Sequence, residues 1–316
     1  CFGLRVRIQN GADVGPCVLR IMCDDPILIA GGDTSLLAPN GTRLEILPLA
    51  APVVIPPTPH DFVVRNMTDQ ASWVICRAGM HYHDLVPTHL CGSIIASHIR
   101  IPDGGPVPDM VHFHSVGFQL IYCYRGWVDL VYEDQGPPFR LHAGNCVIQP
   151  PEIRHRVLFA SDNIEVIEIG VPAEHVTTID HDLELPTPNV LPEREFSRQK
   201  FVHSKALDAD WAQSRLPGFI SRDTTICENT QGVASVHVIK RGKGIPVWAS
   251  HTSDIHFSFV LEGSLTLEGE NQPAQELKSG DAFVIPPQMK VRYANPSNDI
   301  ELLEVSLPGD FKTQVN

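Results

Sequence analysis

Positive charge is in short supply in this sequence. Its 316 residues hold 24 Lys and Arg against 37 Asp and Glu, a formal net charge of −13. That balance lacks the basic footprint a phosphate backbone demands, so nucleic acid is excluded as a partner. There is no basic tract of the kind that docks on acidic membranes. No apolar run approaches the ~18 residues of a membrane helix; the strongest candidate, 46–55, is broken by Pro48 and Pro52. The first residues do not read as a charged-then-apolar leader. Eight cysteines occur without a CxxC pair or a regular framework. In a chain of this size that usage implies reduced, mostly buried thiols and a cytoplasmic setting. Cys17 and Cys23 are close enough in sequence to pair as an exception. The expected partner is therefore a small molecule, with neither nucleic acid nor membrane.

What the sequence does hold is 43% hydrophobic residues, ample for real cores. The length suits two domains of about 150 residues. Short strand-like runs separated by Gly and Pro turns, with little helical periodicity, predict an all-β protein. The most informative stretch runs from Val111 to His155. His112 and His114 are two apart, so on a strand they share a face. Two neutral imidazoles on one face can hold one metal ion. Gln119 follows on a strand-like run and shares a face with Ile121, Cys123 and Arg125. His155 lies just past the Pro150-Pro151 corner, where a strand can re-enter the same cavity. His112, His114, Gln119 and His155 are thus the expected metal ligands.

Other residues are placed by the same period. His98 and Arg100 share a face of the run 97–101 and are expected to line the cavity, with Arg100 as a clamp for a substrate carboxylate. A salt bridge with a strand neighbour is the alternative for Arg100. Tyr122, Tyr124 and Trp127 are expected on the outer or rim surface. Cys123 is expected to be an inert buried thiol. His81 and His83 form a second HxH, read as a loop or helix-start feature and not as ligands.

Beyond residue 60 the chain repeats itself. IEVIEIGVPAEH at 164–175 answers to IELLEVSLPGDF at 300–311, an offset of 136. Gly144-Asn145 matches Gly280-Asp281, Pro150-Pro151 matches Pro286-Pro287, and Gly126 corresponds to Gly263 with one residue inserted. Tandem duplication of a barrel is the simplest account. The expected organisation is a first barrel at 61–178, a linker at 179–200 and a second barrel at 201–316. Residues 1–60 form an extension whose strand-like runs (4–8, 18–22 and 43–47) are expected to add strands to the outside of a barrel.

These residues carry a resemblance. Gly105, His112, His114, Gln119, Gly126, Gly144, Pro150 and His155 fall on the two-part pattern of the cupins, and the chain resembles a bicupin over about residues 62–311. Three positions depart from the pattern. Gln119 stands where the usual carboxylate ligand stands, Glu152 replaces an inner Gly, and Phe159 replaces a final Asn. The second half is degenerate. Ala249 and Val291 replace the first and last histidines, His251 remains, and His256 occupies the carboxylate slot. Metal is not expected there unless Asp254 or water completes the site.

The resemblance implies two tandem jelly-roll barrels, the first with a divalent metal. It implies Fe(II) first, with Zn, Ni, Mn or Cu as alternatives. A neutral three-histidine site resembles those of cupin-type iron dioxygenases, which implies oxygenation of a small anionic, chelating aromatic or dicarbonyl substrate. Gln119 would then be a weak ligand through its carbonyl or a hydrogen-bond donor to the substrate. A non-redox isomerase or lyase and a ligand-binding cupin without turnover are the alternative readings, because this fold hosts many chemistries. A bicupin covers its sheet edges as a pseudo-dimer within one chain, and a homodimer is a further option.

Overall fold

The computed structural model describes residues 3–4, 18–23, 27, 31, 35–39, 41–48, 53–68, 73–75 and 79–315. The suggested Cys17–Cys23 pair lies outside them. The chain divides into two compact units, residues 1–54 and 55–316. No helix among the described residues is long and apolar enough to cross a membrane.

The first unit holds a four-stranded sheet in the spatial order Gly3–Leu4, Val18–Cys23, Arg43–Pro48, Ser35–Leu37. Val18–Cys23 and Arg43–Pro48 run parallel, and the other pairs are antiparallel. The described strands of this unit pair with one another and with no barrel strand.

The second unit is two barrels, each made of two facing antiparallel sheets. In the first barrel, one sheet runs Phe139–His142, Trp127–Tyr132, His155–Ala160, His112–His114, Thr177–Ile179. Its partner sheet centres on Phe118–Arg125, Ile164–Val171 and Ile95–Ile101. In the second barrel the matching strands are Ile255–Glu262, Glu301–Leu307 and Ser235–Arg241. The duplication read from the sequence is thus a duplication of topology.

Strand alternation explains how one strand serves two cores. Along Ile164–Val171, Ile167, Ile169 and Val171 pack between the barrels, while Ile164 and Val166 face the interior of the first barrel. Phe118, Leu120, Tyr122 and Tyr124 share the inter-barrel cluster with Phe257, Phe259 and Leu261. Each such side chain is worth roughly 1.5–3 kcal/mol when fully buried, so this seam holds the two barrels as one unit. The Tyr124 hydroxyl donates to the Leu261 carbonyl at 3.0 Å, which satisfies the one polar atom the ring brings to the seam. Tyr122 and Tyr124 thus lie on the outer face of their barrel, as expected. Trp127 stacks on Phe159 at the surface, with ring centroids 5.8 Å apart.

The barrels also exchange strands. Val63–Arg65, expected in the first barrel, pairs with Ala282–Val284 of the second. Val202–Ser204, which leads into the second barrel, pairs with Cys146–Ile148 of the first. The exchange is sealed by matching bonds: Ala206 N donates to Asn145 Oδ1 at 2.9 Å, and Met67 N to Asp281 Oδ1 at 2.7 Å. The turns at Gly126 and Gly263 are equally alike, with φ of +74° and +72°. A Cβ at either would fall within 2.4 Å of a serine hydroxyl, Ser161 or Ser297, so only glycine fits both the conformation and the space.

Candidate metal centre

Register brings the histidines together. His112 sits directly opposite His155 on the neighbouring strand, and His114 lies two residues on, on the same face. The ring centroids are 4.2 Å apart for His112 and His155, 5.1 Å for His112 and His114, and 5.2 Å for His114 and His155. One nitrogen from each lies within 4.8 Å of the others, which is close enough for a single ion.

The other nitrogen of each ring is tied down. His112 Nδ1 is 2.8 Å from the Met110 carbonyl, and His155 Nδ1 is 3.0 Å from the Ile153 carbonyl. A carbonyl only accepts, so both rings carry their proton on Nδ1 and turn Nε2 into the ligating atom. His114 Nδ1 meets the Thr177 hydroxyl at 2.9 Å, across the ladder that pairs His114 with Thr177. Asp109, buried, has a carboxylate oxygen 3.6 Å from His112 Nδ1 and accepts from Val157 N at 3.0 Å. These are the outer partners that orient imidazole ligands around a cation.

The triad opens on a cavity of about 390 Å³. Glu168, Gln149, Tyr132, His175 and Thr177 share its lining with the histidines. Gln119 is fully buried and does not line it. Instead its amide nitrogen donates to Glu168 Oε1 at 2.7 Å. Its own carbonyl oxygen is buried and makes no hydrogen bond among the described residues. The cavity beside the triad therefore has a carboxylate: Glu168 on the adjacent strand presents it, and Gln119 holds it. Gln119 thus stands behind Glu168 and outside the cavity lining, not in the ligand position expected of it.

His98 and Arg100 are corrected as well. The cavity face of their strand carries Ile95, Ser97, Ile99 and Ile101, so His98 and Arg100 point the other way. His98 is buried near the inter-barrel seam, with Nε2 2.7 Å from Glu165 Oε2 and its ring against Tyr124 and Phe259. Arg100 is exposed and donates to Asn163 Oδ1 at 2.7 Å. The period-two pattern was right and the choice of face was wrong. His81 and His83 lie on a strand, His81–Asp84, not in a loop, and His83 stands opposite His98. Cys123 is buried, and burial pushes its thiol up to about 12, so it is inert.

Glu168, Gln149 and His175 were not read from the sequence. A signal existed for Glu168. It is a carboxylate on the same strand face as Ile164 and Val166, and the duplicate strand carries Glu304 in the same place.

The second barrel shows what the same frame does without the triad. Ala249 now faces Val291 across the ladder where His112 faces His155. Its cavity measures about 20 Å³. His256, in the Gln119 position, bonds Ser306 Oγ at 2.7 Å and lies 3.6 Å from Glu304. Arg215 donates to Glu304 Oε2 at 2.6 Å and closes the interior. Burial alone would push the Glu304 carboxyl up, but the Arg215 guanidinium and then His256 hold it down to about 2. Burial, with help from His256 and Arg215, pushes His251 down to about 3. Phe311 packs against His251 and His256 at the position that His175 holds in the first barrel. Asp254 is exposed and lies 3.5 Å from His60, so it completes nothing. Among the described residues the only cluster able to hold a metal is His112, His114 and His155.

Comparisons with known proteins fit this geometry. The family described as Cupin domain matches residues 235–306. Protein YlbA from E. coli superposes with a TM-score of 0.57 at 14% identity, over 82% of this chain and 95% of that one. In fold, the chain is a bicupin. Oxalate decarboxylase from Lactobacillus farciminis, in a formate complex, gives a TM-score of 0.59 at 13% identity, covering 83% of this chain and 91% of that one. Salicylate 1,2-dioxygenase from Pseudaminobacter salicylatoxidans gives 0.55 at 14%, covering 71% and 75%. No match is found among curated protein sequences. The bicupin frame also explains a departure noted above. Glu152, where the cupin pattern has Gly, keeps φ at +65°, and its counterpart Gln288 keeps +67°. The turn still needs the left-handed conformation, and both barrels hold it with a non-glycine residue at a cost of about 1–3 kcal/mol.

Proposed function

We propose that the first barrel is a divalent-metal centre of an oxidoreductase that oxygenates a chelating aromatic or dicarbonyl substrate. The observation that supports it is the set of three histidines with Nδ1 anchored and Nε2 converging, beside a carboxylate in the same cavity. Imidazole nitrogens with one carboxylate suit Fe(II), the first choice, and also Mn(II). His112, His114 and His155 would hold the ion, with the Glu168 carboxylate in the same cavity. A bound iron ion would supply a positive charge for chelating oxygens and the redox capacity that reaction with O2 requires.

The chain's own residues do the rest. Gln119 orients Glu168. Thr177 and the Met110 and Ile153 carbonyls fix the rings. Tyr132, whose ring stacks on His155 with centroids 5.5 Å apart, receives a hydrogen bond from Gln149 Nε2 at 2.9 Å. Burial raises the Tyr132 phenol, so it stays protonated. The aliphatic wall excludes water from the bound substrate. The likeness to salicylate 1,2-dioxygenase supports the oxygenase reading; the likeness to oxalate decarboxylase keeps a non-redox lyase as the competing one.

Elemental analysis and oxygen uptake test this. Protein loaded with Fe(II) should retain about one ion per chain by this reading and consume O2 with a salicylate- or β-diketone-type acid. Metal retention with turnover but no oxygen uptake would favour the lyase. No metal retention would overturn the centre itself.

A further inference from the structure

We infer that the first barrel takes a ligand with one polar, metal-chelating end and an uncharged apolar body, and not a small, doubly charged acid. This rests on the metal centre proposed above and names the substrate class that the rest of the cavity selects.

Three observations carry it. The first is size. The cavity of about 390 Å³ falls in the range of sites for organic molecules of many atoms. The second is chemistry. Of the 20 lining residues none is Lys or Arg, and Arg100 points away. Apart from Tyr82 and Ser97, the wall on the sheet facing the triad is apolar beyond Glu168, and Ile99, Ile121, Val128, Leu130, Val157 and Val166 supply most of the remaining surface. A second carboxylate on the ligand would lie against aliphatic carbon with no side-chain cation to meet it.

The third observation is the contrast between the barrels. The ladder pair Leu130 and Val157 corresponds to Leu267 and Tyr293, and the pair Ile99 and Val166 to Ile239 and Leu302. Val147 corresponds likewise to Phe283, each on the strand that receives the exchanged strand from the other barrel. The second barrel thus has larger side chains at these three places, though Ser258 and Gly269 are smaller than their counterparts Ile121 and Tyr132, and its cavity measures about 20 Å³. In the first barrel the same positions are kept at valine size, which holds the space open for carbon.

The test uses n-alkyl hydroxamates, a constant chelating head with tails from two to eight carbons, titrated calorimetrically into the metal-loaded full chain. Metal content is measured first. Affinity should rise about fourfold per buried methylene until the cavity fills. Val157→Tyr and Val166→Leu import the residues of the second barrel. Each should retain metal and acetohydroxamate affinity while flattening the chain-length dependence. Succinate-monohydroxamate, with a charged tail end, should bind at least tenfold more weakly than its uncharged analogue of equal length. A flat dependence in the wild type, or tighter binding of the charged tail, would overturn the inference while leaving the metal centre standing. Failure of the wild type to hold metal would instead overturn the centre. Circular dichroism separates a misfolded variant from a filled cavity, and Val166→Leu, the smaller change, keeps the test open if Val157→Tyr does not fold.

Discussion

Buried Gln119 and half-buried Glu168 form a pair, amide nitrogen to carboxylate oxygen at 2.7 Å, on adjacent strands of the first barrel. The same two positions in the second barrel hold His256 and Glu304, 3.6 Å apart. One duplicated strand pair has thus kept its glutamate in both copies and changed what faces it. In the first barrel the partner is a neutral amide, and the carboxylate faces the cavity. In the second, Arg215 and His256 consume the carboxylate.

Gln119→Glu should separate positioning from ligation. The change sets a second carboxylate against Glu168. Without metal the two repel, and the lost hydrogen bond should cost about 1–3 kcal/mol of stability. With metal the added charge should tighten binding. Thermal unfolding with and without Mn(II) checks both. Equal stability of metal-free wild type and variant would mean that the two side chains do not meet.

His114→Ala and His155→Ala should each weaken metal binding by about a hundredfold or more, given that even outer partners of a ligand contribute 10–100-fold. His251→Ala should leave metal content unchanged. Elemental analysis after dialysis reads the result directly, and equal loss in all three would mean that the second barrel also holds an ion.

Acid should unfold the chain through the second barrel. Glu304 is held down to about 2 in the folded protein, below its unfolded value, so its contribution is complete above about pH 4.5 and is lost as pH falls toward 2. His251, pushed down to about 3, charges more readily when unfolded, so stability falls with pH from about 6.5 toward 3. Both terms have the same sign. Glu304→Gln should flatten the lower part of the curve and His251→Phe the upper part, as measured by urea unfolding from pH 7 to 3.

Arg215→Met should cost about 3–5 kcal/mol, because it strands Glu304 as a buried charge. Adding Glu304→Gln should recover much of that loss, since the charge is then gone. Chemical denaturation of the two single variants and the double variant gives the coupling. Additive losses would argue against the pair.

The strand exchange should depend on its two side-chain clasps. Asp281→Ala removes the acceptors of Met67 N and Lys278 N, and should cost about 1–3 kcal/mol. Hydrogen exchange should accelerate at residues 63–67 and not at 202–206. Asn145→Ala should do the reverse.

The sequence was most legible where it repeats. The offset between 164–175 and 300–311 implied two barrels of one design, and the strand ladders bear this out residue by residue. The spacing of His112 and His114 put them on one face, because a strand alternates with period two. That period leaves one binary choice open, namely which face points inward. For Gln119 and Ile121 the choice was readable from the histidines nearby. For His98 and Arg100 the signal pointed the other way, since Ile95, Ile99 and Ile101 share the opposite face, and an apolar-walled cavity takes that face inward. Nor does any local pattern reveal that Val63–Arg65 crosses to the other barrel, since exchange and return use the same short apolar strand.

His112, His114 and His155 were marked out as a candidate metal centre by the sequence alone, since residue type, spacing and turn chemistry are local properties. The fold placed Glu168 in the cavity beside that centre and withdrew Gln119 from it. Which of two polar neighbours meets the cavity depends on the register between Phe118–Arg125 and Ile164–Val171, strands some forty residues apart in the chain. Register is a sum over a whole ladder of cross-strand contacts, and no single stretch of sequence contains it.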